Sequence, residues 1–511
     1  MSEKKKGLTR REFLRKTGGA ATLAGVGAGG LMLSPMMARA DEAPKKWDES
    51  YDVVVIGSGF AGLAAAIEAR QAGSSVMVME KMAVPGGNSI INGGVIAAAG
   101  SPLQTRAGIK DTPDLLLEDM LKAGLYLNHL DLAGKVAEKS NEVVQWTIDF
   151  LGTQYQENLV HLGGHSVPRS YSTFNHSGSA IVLQQIAKLK AMGENVKTKR
   201  FLETFIRDKE GRIIGIRMQD GYRFPKGGGA VRFVQAKKAV ILATGGFSAD
   251  LPFRSIQDPK LTRDVDTTNQ PGATAEGLLE ALRIGATPVQ ISWIQLGPWA
   301  SPDEKGFGIG PHFAAGAAFP YGVMVDPKTG LRFINELADR KIRADAILKT
   351  GHPCVVLADS QGVAKIAPLL PKQIERGVVK KFDTLDALAA SYGIPAGSLR
   401  ETVGNYNGFI KNGEDKEFGK YLQKDVKPIG QAPFYAMRVW PKVHHTMGGI
   451  QINTQAQPLD LDHRPIPGLY AAGEIAGGVH GAVRLGSCAV IDCLVFGRIA
   501  GQNAAAEKVR S

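Results

Sequence analysis

Cysteine is scarce in this chain of 511 residues, which contains only Cys354, Cys488 and Cys493. No CxxCH haem-attachment motif occurs, and three scattered cysteines cannot supply the four thiolates that usually hold an iron–sulfur cluster. The sequence therefore offers no site for either redox centre. Cys488 and Cys493 lie five residues apart in an apolar run, which is more typical of core residues than of a disulfide, although a disulfide stays open.

A strong charge of one sign is also missing once the first 40 residues are set aside. The whole chain has a formal net charge of +12, but residues 1–40 carry eight Lys/Arg and two Asp/Glu, which leaves 53 basic and 47 acidic residues. This balance gives no case for nucleic-acid binding, although a weakly positive face suits an acidic redox partner or an anionic substrate. At 44% hydrophobic residues, a chain of this length is globular, with room for two large domains.

The first 40 residues have the composition of an export signal. Lysines and the motif Thr9-Arg10-Arg11-Glu12-Phe13-Leu14 precede a Gly/Ala-rich apolar stretch, and Ala38-Arg39-Ala40 is a small-x-small cleavage site. The twin arginines predict that the twin-arginine (Tat) machinery exports the folded protein to the periplasm. An uncleaved membrane anchor is the alternative, which the high glycine content of the stretch disfavours.

The clearest pattern lies between residues 51 and 81. An apolar, β-branched run leads into Gly57, Gly59 and Gly62, an Ala-rich helix follows, and a second apolar run ends on Glu80. This order of strand, glycine turn, helix, strand and acid predicts a Rossmann-type dinucleotide site. The glycines permit a tight turn and close approach of a pyrophosphate to the helix N-terminus, while the acid accepts a ribose hydroxyl.

A second glycine-rich stretch, residues 85–94, indicates that the backbone lies against the ligand at a second place. This stretch distinguishes FAD from a nicotinamide dinucleotide. Flavin proteins commonly have such a loop and a nicotinamide site needs none, so the sequence favours FAD. No metal site is expected. The residues expected to bind the cofactor are Gly57, Gly59, Phe60, Ala61, Gly62, Glu80, Lys81, Gly86, Gly87, Asn88, Ser89, Asn92, Gly93, Gly94, Thr244, Gly245, Gly246, Glu276, His445, Glu474, Cys488, Ala489 and Val490.

The remaining pattern predicts an α/β protein with a Rossmann-like FAD-binding domain, built on a doubly wound sheet, and an inserted α+β capping domain. We assign residues 1–40 to the signal peptide, residues 48–293 and 439–511 to the FAD-binding domain, and residues 294–438 to the capping domain. The chain ends in a long apolar helix whose N-terminal turn suits a flavin pyrimidine, where negative charge grows on reduction.

Taken together, the chain from Tyr51 onwards resembles the fumarate reductase and flavocytochrome c group of FAD enzymes, which includes urocanate reductases. The resemblance implies that flavin N5 passes a hydride to an activated C=C bond, in anaerobic respiration. Since no haem domain precedes the motifs, it implies a separate periplasmic cytochrome c or quinol-linked donor. The covalent flavin histidine of the related membrane-bound succinate dehydrogenases has no counterpart near residues 86–94, so non-covalent FAD is expected. The matching motifs, in family order, are GSGFAG, EKMAVPGGNS, ATGG, PGATAEG, RFINE, HHTMGG, GLYAAGE and GGVHGAVRLG.

The resemblance also implies catalytic roles. By motif, His444 and Arg484 correspond to the pair that holds the substrate carboxylate, and Arg340, eight residues after Arg332, corresponds to the arginine that donates a proton. A guanidinium can clamp a carboxylate through two hydrogen bonds and withdraw charge as an enolate develops. Structural ion pairs for the arginines and a core position for the histidine are the alternatives.

Other family positions are not kept. Where the family has a histidine for a second carboxylate, this chain has Gly297-Pro298-Trp299, and the family's Thr-Glu-x-x-Arg proton relay should fall in residues 314–318, which are alanine and glycine. We therefore expect a substrate with one carboxylate and a bulkier or more apolar remainder. Tyr321 is the candidate to return protons to Arg340, with a packing role as the alternative, and Tyr171 is a candidate pocket residue.

Two other functions stay open. A 3-oxosteroid dehydrogenase of the same fold would run flavin chemistry in the opposite direction with tyrosines, and a flavin electron carrier would turn over no substrate of its own.

Overall fold

The structure is a computed structural model that describes residues 43–510, so the predicted export signal and the alternative anchor lie outside the described residues. Among residues 43–510, no helix has both the length and the apolar content needed to cross a bilayer. The strands are β1 Glu49–Ile56, β2 Val76–Glu80, β3 Val95–Ala97, β4 Ser170–Ser172, β5 Val196–Thr198, β6 Arg200–Arg207, β7 Ile213–Asp220, β8 Ala230–Leu242, β9 Pro288–Val289, β10 Ile294–Gly297, β11 Val323–Val325, β12 Cys354–Asp359, β13 Lys380–Phe382, β14 Phe434–Val439, β15 Lys442–Thr446, β16 Gly449–Ile450 and β17 Leu469–Ala471. The helices are α1 Phe60–Gln71, α2 Pro102–Arg106, α3 Pro113–Ala123, α4 Leu130–Asp149, α5 Ser179–Ala191, α6 Leu251–Gln257, α7 Glu276–Arg283, α8 Gly310–Phe313, α9 Phe319–Tyr321, α10 Arg340–Thr350, α11 Ser360–Val363, α12 Leu370–Glu375, α13 Leu385–Tyr392, α14 Ala396–Asn412 and α15 Cys488–Ala506.

The larger sheet is centred on β1 and has the order β5-β2-β1-β8-β7-β6, with β17 also paired to β8. β5, β2, β1, β8 and β17 run parallel, whereas β7 pairs antiparallel with both β8 and β6. Residues 53–56 are buried, as expected for a central parallel strand that is covered on both faces. Because Ile56 lies beside Met79 and Leu242, the carboxyl ends of three strands meet at one edge of the sheet.

Helices α1 and α15 pack closely because small residues face each other. A Cβ added at Gly497 would lie 2.5 Å from the carbonyl oxygen of Ala61, and one added at Gly501 would lie 2.3 Å from that of Ala65. The two glycines are one helical turn apart, so they share a face of α15. This contact fixes α15 against the nucleotide-binding turn, together with the loop that precedes the helix.

A smaller antiparallel sheet, of order β11-β12-β14-β13, lies within residues 323–439. Its side chains alternate between two apolar clusters, as the period of two in a strand requires. In β12, Val355 and Leu357 pack with α13 and α14, while Val356 and Ala358 pack on the other face with Phe313. This sheet falls in the region predicted as the capping domain, whose boundaries stay a prediction.

A two-stranded ladder of β10 and β15 connects the region of the smaller sheet to the nucleotide-binding region. Gln295 pairs with His445 and Leu296 pairs with Val443, so His444 is the extra residue of a β-bulge. Bulges redirect a side chain out of the regular alternation of a strand. The local sequence of β15 thereby turns the His444 imidazole towards a cavity rather than into the ladder.

A buried charge network holds the segment that leads into α10. The guanidinium of Arg332 lies 2.9 Å from Glu336 and 2.8 Å from Asp415, and Lys420 lies 3.4 Å from Glu336. Although burial alone would lower it, the two carboxylates raise the pKa of Arg332. Glu336 also accepts a hydrogen bond from the backbone of Met324. The network therefore fixes the start of α10 to the smaller sheet.

We predict that Glu336→Gln destabilises the protein by about 3–5 kcal/mol, because it removes the buried carboxylate that Arg332 and Lys420 share. The measurement is thermal and urea unfolding of the flavin-loaded protein. The matched control is Asp386→Asn, which removes an exposed partner of Arg400 and should change stability by about 0.5 kcal/mol or less. Equal losses in the two variants would contradict a special role for the buried network.

Candidate active site

A first cavity lies at the sheet edge where β1, β2 and β8 end. It is lined by the glycine turn, by Glu80 and by Thr244 and Gly245, which follow β8. Gly57 has a φ of +107°, and a Cβ there would lie 2.2 Å from the carbonyl oxygen of Ala243. This position requires glycine because both the backbone conformation and the available space exclude a side chain.

The carboxylate of Glu80 is held in place inside this cavity. Ser58 Oγ donates to one of its oxygens at 2.6 Å, and the backbone N–H of Met82 donates to the other at 2.9 Å. The first oxygen also accepts from the backbone N–H of Ser58 at 3.4 Å, whereas the oxygen bonded to Met82 keeps a further lone pair for a ligand hydroxyl. A fixed acid beside a glycine turn fits the ribose and pyrophosphate of a dinucleotide.

At the far end of the first cavity, polar side chains from separate segments of the chain form a cluster. Lys81 Nζ lies 3.1 Å from Glu276, and the hydroxyl of Thr274 bonds to both side chains. Arg200 from β6 also lines this end, where it is paired with Glu49 and Asp220. The sequence motifs indicated Lys81 and Glu276, but no signal pointed to Arg200.

A second cavity of about 660 Å³ adjoins the first and shares part of its wall. The shared lining comes from α1, the 85–94 loop, the turn after β17, and α15. Beyond this junction, the second cavity is lined by residues of both sheet regions, including Trp299, Phe307, Arg340, His444 and Arg484. The joined cavities suit an elongated cofactor whose ring system ends beside these side chains. The shared residues are Phe60, Asn88, Ser89, Glu474 and Cys493.

Most of the residues predicted to bind the cofactor line one of the two cavities. Gly62, Gly86, Gly94, Gly246 and Cys488 do not. The four glycines instead allow close packing behind the lining: a Cβ at Gly94 would lie 2.1 Å from Thr173 Oγ1, and one at Gly246 would lie 2.1 Å from Thr446 Oγ1. Cys488 is fully buried at the start of α15, and all three cysteines are free thiols.

Glu474 lies at the junction of the two cavities. It accepts hydrogen bonds from the backbone N–H and the hydroxyl of Thr446, at 2.8 and 3.1 Å. Its second oxygen lies 3.5 Å from His445 Nδ1. Burial raises the pKa of Glu474 to about 7, so both its neutral and its ionised form are populated at neutral pH. Such a group is suited to a hydroxyl of the cofactor.

His444 is held by contacts on two sides within the second cavity. Its Nδ1 lies 2.8 Å from Thr268 Oγ1, and its ring meets Trp299 edge to face, with centroids 4.7 Å apart. Burial, followed by the positive charges of Arg484 and Arg340, lowers its pKa well below the ordinary value. The imidazole is therefore neutral at pH 7.

Arg484 is buried and Arg340 is partly buried, and neither cation has an acidic partner within hydrogen-bonding distance among residues 43–510. Arg484 donates to the carbonyl oxygen of Leu485 at 3.1 Å, and its Nε has no partner in that part of the chain. Arg340 donates to Gln295 Oε1 at 3.2 Å, and Gln295 Nε2 donates to the backbone of Arg484 at 2.9 Å. Burial lowers the pKa of both, and Arg484 and Arg343 lower that of Arg340 further. Two uncompensated guanidinium groups facing one cavity form an anion site.

The loop that carries Arg484 is held from behind by a second buried arginine network. Arg169 lies 2.9 Å from Asp111 and donates to His165 Nδ1 at 3.3 Å. The other nitrogen of His165 lies 2.8 Å from the carbonyl oxygen of Gly486. Burial lowers the pKa of His165 to about 4, so it bonds as a neutral ring. The segment around Arg169 therefore supports the site instead of lining it.

Tyr321 does not lie in the second cavity. Its ring packs against Lys365, whose Nζ is 5.4 Å from the ring centroid, and burial followed by the nearby Asp425 raises its pKa. The prediction that Tyr321 returns protons to Arg340 is therefore wrong on geometry. Tyr171 is also outside the lining, because its ring packs on Tyr155 with centroids 5.6 Å apart.

Comparison with known proteins agrees with this geometry. The FAD binding domain family matches residues 52–490. The chain belongs to this family. The predicted cofactor, FAD, is thus confirmed, and so is the α/β fold class.

Among curated relatives of this flavoprotein, the acrylate reductase flavoprotein subunit of Shewanella woodyi is 43% identical over 505 residues, covering 97% of this chain and 98% of the relative. The urocanate reductase of Eggerthella lenta is 33% identical and covers 91% and 76%. The open conformation of a flavocytochrome c3 fumarate reductase superposes with a TM-score of 0.73 at 34% identity, covering 90% and 78%. The predicted membership of the fumarate reductase and urocanate reductase group, and the prediction of an FAD-dependent oxidoreductase, are confirmed.

We predict that Gly57→Ala yields a flavoprotein with little or no bound FAD, because the new methyl group would collide with the end of β8. The measurement is the ratio of flavin to protein absorbance after purification. Gly73→Ala is the matched control: Gly73 also has a positive φ, +82°, but a Cβ there meets nothing within 4 Å. The control should lose about 1–3 kcal/mol of stability yet keep its flavin. A full complement of FAD in Gly57→Ala would contradict the cradle described here.

Proposed function

We propose that this flavoprotein reduces the C=C bond of a 2-enoate that carries one carboxylate. The observation that carries the proposal is the pair of guanidinium groups of Arg484 and Arg340, which have no acidic partner within hydrogen-bonding distance among residues 43–510, beside the neutral ring of His444. A substrate carboxylate would neutralise part of this charge and satisfy the open donors. The acrylate, urocanate and fumarate reductases among its relatives support the same class of substrate.

The roles of the side chains follow from their chemistry. Bound FAD would supply the hydride, which goes to the β carbon. Arg484 and His444 hold the carboxylate. Arg484 also stabilises the negative charge that moves onto this carboxylate as the α carbon becomes enolate-like. Arg340 donates a proton to the α carbon, so the C=C bond gains one hydride and one proton. The lowered pKa of Arg340 makes its guanidinium a better acid than an exposed one.

The side chains that line the cavity around His444 favour a substrate with a single carboxylate. Trp299 and Phe307 present aromatic rings, and Ala315 and Gly316 have no polar side chain. His312 also lines this cavity, and burial lowers its pKa to about 4, so it is neutral at pH 7 and offers a second carboxylate no charge. Lys365 is a further cation of the lining, but it is exposed and already paired with Asp425. A second carboxylate beside the aromatic rings would therefore lack a buried ion-pair partner, at a cost of several kcal/mol.

The proposal extends to location and electron supply. The protein is exported by the Tat pathway to the periplasm, holds FAD non-covalently, and receives electrons from a separate cytochrome c or quinol-linked donor in anaerobic respiration. The twin-arginine motif and the absence of a haem-attachment motif in the sequence support this assignment. The relative from Shewanella woodyi is itself described as a flavoprotein subunit.

The two alternatives have less support. A steroid dehydrogenase that relies on tyrosines is disfavoured because Tyr171 and Tyr321 both lie outside the cavity, and because a neutral ketone has no use for two buried cations. A flavin carrier without turnover is favoured only by the missing polar relay in residues 314–318.

A panel of acceptors tests the function. We expect the purified flavoprotein to oxidise reduced viologen with acrylate and with methyl- or aryl-substituted 2-enoates, and to use fumarate at least about tenfold less well, since one charge would be unpaired. Steroids with a dye acceptor should give no rate. Failure of every enoate to reoxidise the dithionite-reduced protein would favour the carrier, and fumarate as the best acceptor would overturn the single-carboxylate assignment.

Two arginine variants separate binding from protonation. Arg340→Gln should still bind the enoate, but with kcat lower by about 10²–10⁴, because the acid is lost. Arg484→Ala should lose carboxylate binding together with turnover while keeping its FAD spectrum. The measurements are substrate titrations of the oxidised flavin spectrum and stopped-flow reoxidation, with the exposed Arg400→Gln as control. A near-normal rate for Arg340→Gln would remove Arg340 from the acid role, and loss of flavin from Arg484→Ala would make Arg484 a cofactor residue.

A further inference from the structure

Thr268 contacts the ring nitrogen of His444 that faces away from the cavity. Its Oγ1 lies 2.8 Å from His444 Nδ1, and its own side chain is 1% exposed. Among residues 43–510, His444 Nε2 has no hydrogen-bond partner, and the ring lines the cavity. Trp299 packs on the ring edge to face, so the imidazole cannot turn freely. The two nitrogens of His444 therefore have different tasks.

A neutral imidazole carries one N–H proton, and its position decides what His444 offers to the cavity. If Thr268 donates to Nδ1, the proton is on Nε2 and the ring can donate to a carboxylate. If Nδ1 donates to Thr268 instead, Nε2 presents a lone pair, which repels a carboxylate. The direction of one hydrogen bond thus determines whether His444 can bind an anion.

The nearby positive charges favour the tautomer of His444 that has its lone pair on Nε2 and cannot donate to a carboxylate. Arg484 and Arg340 act on His444 electrostatically, and two cations attract the lone pair of an imidazole rather than its N–H group. Thr268 also has competing acceptors, Asn269 Oδ1 at 3.1 Å and the Val443 carbonyl oxygen at 3.4 Å. Both are longer than the 2.8 Å contact to Nδ1. The Val443 oxygen already accepts from the backbone of Thr268 and from the hydroxyl of Thr267.

We propose that Thr268 is a positioning residue that donates its hydroxyl proton to His444 Nδ1 and so holds His444 in the Nε2–H tautomer. This inference rests on the proposed function, because a carboxylate is the ligand that needs an N–H donor at this point. Thr268 itself does not touch the reacting atoms. It acts by deciding which nitrogen of His444 faces the substrate as a donor.

Solid-state ¹⁵N NMR of flavin-loaded protein, labelled at the histidine ring nitrogens, tests the tautomer directly. The His444 signals are identified by their loss in His444→Gln. We expect a pyridine-type Nδ1 and a pyrrole-type Nε2 in the wild-type protein and in Thr268→Ser, which keeps the hydroxyl. Thr268→Val, which has nearly the same shape but no hydroxyl, should lose this pattern. A pyrrole-type Nδ1 in the wild-type protein would overturn the proposal without any variant.

Binding and kinetics give a second readout. We expect Thr268→Val to bind acrylate about tenfold more weakly and to raise KM by a similar factor, with a smaller change in kcat, whereas Thr268→Ser stays near wild type. Flavin content shows that the variants are folded. Equal losses in the serine and valine variants, or unchanged binding in the valine variant, would overturn the proposal. If the wild-type protein reduces no enoate, the proposed function fails, and the tautomer pattern still decides the role of Thr268.

Discussion

The site depends on two positive charges that the protein buries and leaves unpaired. Four arginines show the contrast: Arg169 lies within hydrogen-bonding distance of two carboxylates and Arg332 of three, whereas Arg340 and Arg484 meet none in the described part of the chain. The paired arginines are structural, and each supports the segment that carries an unpaired one. Burying a cation without a counter-charge costs several kcal/mol, which the rest of the fold has to offset.

One side chain joins the two functional cations. Gln295 accepts from Arg340 and donates to the backbone of Arg484, so the spacing of the two arginines is set by an amide that carries no charge. Three histidines at or near the site are also neutral, because burial lowers the pKa of His165, His312 and His444. The positive field at His444 therefore comes from the two arginines, which favours an anion beside this ring.

Local patterns predicted the nucleotide site well because its parts are close in sequence. The glycine turn at Gly57 and the acid at Glu80 follow from a strand, turn, helix and strand that occupy about 30 consecutive residues. The long apolar helix expected at the end of the chain is likewise present as α15. The arginines and His444 came from motif resemblance, and their side chains do line one cavity.

The rest of the site was not predictable because it depends on contacts between distant segments. Thr268 and His444 are 176 residues apart, and Gln295 and Arg484 are 189 apart, with no periodic or compositional signal at either position. The predicted role of Tyr321 in returning protons was wrong for a related reason. The π-helix over Ala314–Ala318 and the short α9 turn its ring to Lys365 and the surface, and the direction of a phenol cannot be read from its place in the sequence.

The loss of Tyr321 from the site leaves the reprotonation of Arg340 to other groups. If Arg340 gives a proton to the α carbon in each turnover, its hydrogen-bond partner Gln295 cannot replace that proton, because an amide is not an acid. The groups that act on Arg340 electrostatically are Arg484, Arg343 and the thiol of Cys488, whose pKa burial raises to about 12. None is an acid suited to neutral pH. Ala315 and Gly316 line the cavity without polar side chains, so the same absence of polar groups that admits an apolar substituent also removes a side-chain relay to Arg340 from this segment.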